Sequence, residues 1–132
     1  MIITDDKSLR CILDIGGDDR GALVLGRISE KIKEENDYEM LMVINSFRPL
    51  TRDAASTMEV LSEIETAARM KFTGLVNNSN LGEETLAQDV LDSVKYANAV
   101  SAATGLPVVA TTVKAELIDE IKGKIENIIK AN

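Results

Sequence analysis

Short runs of apolar residues alternate with longer stretches of helical periodicity along the chain, and this alternation constrains the fold more than any other feature. The predicted strands cover about residues 9–15, 39–44, 71–76 and 107–111. The spacing of apolar residues predicts helices over about residues 20–34, 51–69, 83–104 and 115–131. The order βαβαβαβα predicts an α/β fold with a mostly parallel sheet of about four strands and helices on both faces.

Length and composition are those of a single globular domain, which we assign to residues 1–132. Hydrophobic residues make up 45% of the chain and aromatic residues only 3%. The core is therefore expected to be aliphatic, as it is where helices pack on a parallel sheet.

The net charge of −7 disfavours nucleic acids and anionic membranes as partners. Lysines such as Lys31 and Lys122 stand among acidic residues, which is typical of solvated helix faces. No stretch approaches the ~20 apolar residues of a membrane span. Cys11 is the single cysteine and lies in an apolar run, so we expect a reduced thiol and a cytoplasmic protein.

Histidine is absent, which removes the commonest general base and the commonest transition-metal ligand. Serine triads, Cys-His pairs and histidine-based zinc sites are thereby excluded. No catalytic residue is predicted.

Two loops at the predicted carboxyl edge of the sheet carry distinctive residues. Asp14 ends the first predicted strand and is followed by Gly16 and Gly17, whose flexible backbone could approach a phosphate or a hydrated magnesium ion. Asn77 and Asn78 follow the third predicted strand and open a turn-rich polar loop. Right-handed crossovers would bring both loops to one edge.

The segment Thr73-Gly74-Leu75-Val76-Asn77-Asn78 resembles a strand of the ParA/MinD and cobyrinate-synthase-like (CobQ/CobB) P-loop ATPases. The resemblance extends from about residue 9 onwards and implies a partial Rossmann-like, P-loop NTPase-like fold. It implies that Asn78 reads the adenine edge, with Asn77 a second candidate because the register is open by one residue. It further implies that Asp14 holds magnesium through water and that Gly16, with Gly17 beside it, lies near the γ-phosphate.

The family's phosphate-binding loop has no counterpart in this sequence. The only Gly-Lys pair, Gly123-Lys124, lies inside the predicted last helix and has no glycine loop before it. Without loop amides and a lysine the phosphate charges stay uncompensated, so we expect ATP or ADP with magnesium to bind weakly. We expect no catalysis by this chain alone.

In the family the strand of the phosphate loop is central, and its loss would leave an open slot in the sheet. We therefore predict self-association or a partner protein that completes the sheet. One alternative is part of an active ATPase completed in trans or belonging to a longer protein. A receiver-like regulatory domain, suggested by Asp18, Asp19 and residues 111–114, is a second alternative, and a plain structural role for the polar loops is a third.

Overall fold

The computed structural model of the protein describes residues 19–35, 38–80, 84–121, 123–124 and 127–131. The predicted first strand, residues 9–15, lies outside the described residues. The elements in chain order are α1 (Asp19–Glu35), β1 (Leu41–Ile44), α2 (Ala54–Ala68), β2 (Gly74–Asn77), α3 (Ala87–Thr104), β3 (Val108–Lys114), α4 (Ile118–Ile121) and β4 (Ile128–Ala131). Short 3₁₀ turns, Pro49–Thr51 and Ala115–Leu117, precede α2 and α4.

The described strands form a parallel sheet in the order β1-β2-β3-β4. Leu41 pairs with Gly74 and Ile44 with Asn77, and the β2–β3 register shifts after Leu75. The prediction of an α/β fold with a parallel sheet is confirmed, and β1, β2 and β3 occupy three of the predicted strand positions.

The described helices lie on one face of this sheet, whereas we expected helices on both faces. Each successive strand is added on the same side of its predecessor, and right-handed crossovers in one direction place every connecting helix on the same face. Leu61 of α2 and Val100 of α3 share one buried cluster with Ile44 and Leu75 of the sheet. Helix α1 packs beside α2 through a second cluster that includes Leu25 and Ala68.

The helix ends follow local side-chain chemistry. Asp53 caps α2 by accepting a 2.7 Å hydrogen bond from the Ser56 amide, and this bond holds the pKa of the Asp53 carboxyl below its ordinary value. Helix α3 ends at Gly105, whose φ of 77° is the left-handed conformation that glycine adopts without strain. No described helix has the length and apolar character needed to cross a bilayer.

The prediction of one long helix over residues 115–131 is wrong. Gly123 and Asn127 have φ values of 89° and 54°, which end the helical path after α4, and β4 follows. Three isoleucines of this segment are nevertheless directed inward: Ile121 is fully buried, and Ile118 and Ile128 pack against the same cluster from separate elements.

Candidate functional site

The carboxyl edge of the sheet gathers the segments that follow β1, β2 and β3, because parallel strands end on the same side. These segments are residues 45–48, 78–80 and 115–117. We call this edge the carboxyl rim. Asn78 belongs to this rim, and Asn77 is the last residue of β2 directly before it.

Asn77 is fully buried and both ends of its carboxamide are hydrogen-bonded inside the protein. Its Nδ2 donates to Ser93 Oγ on α3 at 3.0 Å, and its Oδ1 accepts from Ser79 Oγ at 2.7 Å. Ser79 Oγ also accepts from the Ser46 amide at 2.9 Å, which ties the segment after β2 to the turn after β1. A ligand could reach Asn77 only by displacing these partners.

Asn78 is half-buried and lies at the rim, where its main chain is fixed by a 2.8 Å hydrogen bond from its amide to the Ile44 carbonyl. Its side-chain Oδ1 accepts from Thr112 Oγ1 at 2.5 Å and from Asn80 Nδ2 at 3.1 Å. These two bonds set the orientation of the carboxamide. Of the two asparagines, Asn78 is the one that an external ligand can approach.

Thr112 and Lys114 lie on the same side of β3, because side chains two residues apart on a strand share a face. The Lys114 ammonium lies 3.8 Å from Glu116 Oε2, and the Lys114 side chain is 26% exposed. The rim beside Asn78 therefore also carries a hydroxyl and a partly neutralised cation.

The turn after β1 presents an aromatic side chain at the rim. Asn45 Oδ1 accepts from the Phe47 amide at 2.9 Å, an Asx turn that orders the segment. The chain has two phenylalanines. Phe72 is buried, whereas Phe47 is 38% exposed. An exposed aromatic ring at this edge can act as a stacking surface.

The remaining predicted site residues, Asp14, Gly16 and Gly17, lie outside the described residues. Among the residues that the structure describes, no group of three or more potential metal-ligating side chains converges. Gly123 and Lys124 form a turn between α4 and β4, not part of a helix. The Lys124 amide donates to the Ile121 carbonyl at 2.9 Å in that turn.

Thr112, Ser79 and Phe47 belong to segments that the sequence places at the carboxyl edge, but no sequence pattern singled out these three side chains. Side chains alternate between the two faces of a strand, so the apolar Val113 on one face predicts that Thr112 lies on the other. The hydrogen bond from Thr112 to Asn78 could not be predicted, because it requires β3 to lie beside β2.

A groove of about 560 Å³, lined by residues that include Leu91, Leu117 and Lys124, lies between α3 and α4 and contains neither asparagine.

Family models, curated proteins and solved structures were each compared with this chain, and none of them matches it. The fold and the rim define a parallel α/β domain with polar and amide side chains at its carboxyl edge. The relationship to ParA/MinD-type ATPases stays a prediction from the sequence.

Proposed function

We propose that this chain is a non-catalytic, ATPase-like module of Rossmann-like architecture that acts in the cytoplasm by binding another polypeptide and that holds a nucleotide only weakly. The observation that carries the proposal is the sheet face opposite α2 and α3. This open face is apolar and solvent-exposed. We name as its members Leu41, Val43, Val76 and Val109.

The exposure of the open face is high for branched aliphatic side chains. Val43 is 60% exposed, Leu41 is 42% exposed and Val109 is 40% exposed. Gly74 lies between Leu41 and Val109, and a Cβ built on it would lie 3.0 Å from an atom of each side chain. The glycine thus lets the two side chains approach each other and continue one apolar surface across three strands.

None of the described helices covers this face, which is unusual because parallel sheets are normally buried on both sides. Clustered exposed aliphatic side chains are characteristic of interaction surfaces. Each fully buried Val or Leu side chain contributes roughly 1.5–3 kcal/mol. Burial of these side chains against another polypeptide would therefore contribute a substantial favourable free energy to association.

The outer edge of β1 pairs with no strand that the structure describes, adjoins the open face and can add a strand. The Met40 carbonyl accepts a hydrogen bond from the Thr73 amide, and the Ile44 carbonyl accepts one from the Asn78 amide. The peptide groups of Met40 and Ile44 therefore point toward β2. Peptide groups along a strand point alternately to its two sides, so those of Leu41 and Val43 point away from β2. Among the described strands β1 is at the end of the sheet, and an unpaired edge of this kind recruits other chains.

We expect a second copy of the chain to be a partner, and sedimentation equilibrium tests this. The apparent mass should rise with protein concentration, and Leu41→Lys should reduce the association. Leu50→Lys is the matched control, because Leu50 is 72% exposed but lies in the 3₁₀ turn outside the open face. A chain that stays monomeric at every concentration contradicts self-association, and an equal loss of association in both variants contradicts the open face as its interface.

The weak nucleotide binding rests on a different observation, the accessible and oriented carboxamide of Asn78. ATP or ADP with magnesium is the ligand that the family resemblance suggests. Titration with labelled ATP and magnesium should give saturable binding in the micromolar to millimolar range, roughly −8 to −4 kcal/mol. An affinity unchanged in Asn78→Ala would remove the assignment of this residue.

A further inference from the structure

The carboxamide oxygen of Asn78 has no remaining acceptor capacity. A carboxamide oxygen has two lone pairs. One is taken by the Thr112 hydroxyl and the other by Asn80 Nδ2. A ligand that donates a hydrogen bond would have to displace one of these internal donors.

The other half of the same carboxamide is available. Asn78 Nδ2 makes no hydrogen bond to any residue that the structure describes, and it is not a buried unsatisfied atom. A carboxamide nitrogen carries two N–H donors. The rim therefore presents donors at a fixed position, with their direction set by Thr112.

We infer that the ligand at Asn78 is recognised through its hydrogen-bond acceptors, and that a purine bound there is held by its N7 rather than by the exocyclic amine of adenine. The inference rests on the proposed nucleotide binding and changes its expected specificity. An asparagine that pairs with both the N6 amine and N7 of adenine needs a free carboxamide oxygen. Guanine, which presents N7 and O6 as adjacent acceptors, fits the available donors better.

Phe47 supplies the second element of this recognition. The Ser46 amide bonds to Ser79 Oγ at 2.9 Å, which holds the turn that carries Phe47 against the segment that carries Asn78. Stacking on an aromatic ring is tolerant of base identity, so it adds affinity without selecting a base. Discrimination between bases therefore falls to the Asn78 donors, which Thr112 positions.

Four nucleosides separate the two modes of recognition in an NMR-detected titration. Purine riboside lacks the exocyclic amine of adenosine and should bind as tightly as adenosine. 7-Deazaadenosine lacks the N7 acceptor and should bind roughly two- to ten-fold more weakly, the value of one hydrogen bond. Guanosine should bind more tightly than adenosine. Weaker binding of purine riboside with unchanged binding of 7-deazaadenosine overturns the inference.

The variant Thr112→Val tests the positioning role of the hydroxyl. Removing this donor frees the Asn78 oxygen, so adenosine should gain affinity relative to purine riboside. Thr66→Val is the matched control, because within the described part of the chain the Thr66 hydroxyl bonds only to the Ser62 carbonyl on α2. An unchanged adenosine to purine riboside ratio in Thr112→Val contradicts the role of Thr112.

The outcomes also separate this inference from the proposed function. Binding of nucleosides with the opposite pattern overturns the inference and leaves weak nucleotide binding in place. The absence of saturable shifts with all four nucleosides overturns both the inference and the nucleotide part of the proposal. Partner binding is judged independently by sedimentation.

Discussion

Asn77 and Ser93 are joined inside the protein by a 3.0 Å hydrogen bond that connects the end of β2 to α3. Ser93 Oγ in turn donates to the Val90 carbonyl at 2.6 Å. Asn78, the next residue, lies at the rim instead. Because successive side chains of a strand face opposite sides, one step along the chain separates a structural amide from an accessible one.

Replacing the buried amide should cost more stability than replacing the accessible one. Asn77→Ala removes two buried hydrogen bonds, the one that Ser79 Oγ donates and the one that Ser93 Oγ accepts, and we expect the free energy of unfolding to fall by about 1–3 kcal/mol. Asn78→Ala should lower it by about 1 kcal/mol or less. Urea denaturation followed by circular dichroism measures both, and equal losses would contradict the difference in roles.

Gly26 is required where α1 and α2 approach each other. A Cβ at this position would lie 2.5 Å from the Ala67 carbonyl oxygen. We expect Gly26→Ala to lower the free energy of unfolding by about 1–3 kcal/mol, because overpacking outweighs the ~1 kcal/mol gain in helix propensity. Asn98→Ala on the exposed side of α3 is the control and should be neutral or slightly stabilising. A stabilised Gly26→Ala protein would show that α1 does not pack as described.

Tyr96 should make stability depend on pH at alkaline values. Burial raises the pKa of the Tyr96 hydroxyl above its ordinary 10.0, and the hydroxyl lies 2.7 Å from Thr57 Oγ1. Folding favours the protonated hydroxyl, so this contribution is complete below pH 10.0 and is lost as the pH rises through the folded pKa.

Tyr96→Phe isolates this contribution from other groups that titrate in the same range. The difference in unfolding free energy between the wild-type protein and Tyr96→Phe should be constant up to about pH 10 and should fall above it. Thermal denaturation in a series of buffers measures the difference. A difference that grows with rising pH would have the wrong sign.

Local patterns in the sequence predicted most elements correctly, because alternation and helical spacing are properties of neighbouring residues. The last helix was mispredicted since Ile118, Ile121, Ile125 and Ile128 have helical spacing, whereas the left-handed backbone at Gly123 and Asn127 sets the actual path. Helical spacing of apolar residues predicts which side chains are buried, but it does not show that they belong to one continuous helix.

The position of all the described helices on one face of the sheet could not be predicted in this way. It follows from the strand order, which depends on contacts between residues far apart in the chain. The same holds for the rim, where the Thr112 hydroxyl meets Asn78 across 34 positions of sequence. The sequence identified Asn77 and Asn78 as candidate site residues. Only the structure shows that Asn77 is buried and bonded internally, whereas Asn78 is accessible at the rim.

Hydrogen exchange at the β1 edge tests partner binding most directly. The Leu41 and Val43 amides point away from β2 and should exchange quickly at low protein concentration, whereas the Leu75 amide, bonded to the Pro107 carbonyl at 2.8 Å, should be protected throughout. We expect protection of Leu41 and Val43 to increase with concentration as a second copy covers the edge. Fast exchange of both amides at every concentration, with Leu75 protected, would contradict association through β1.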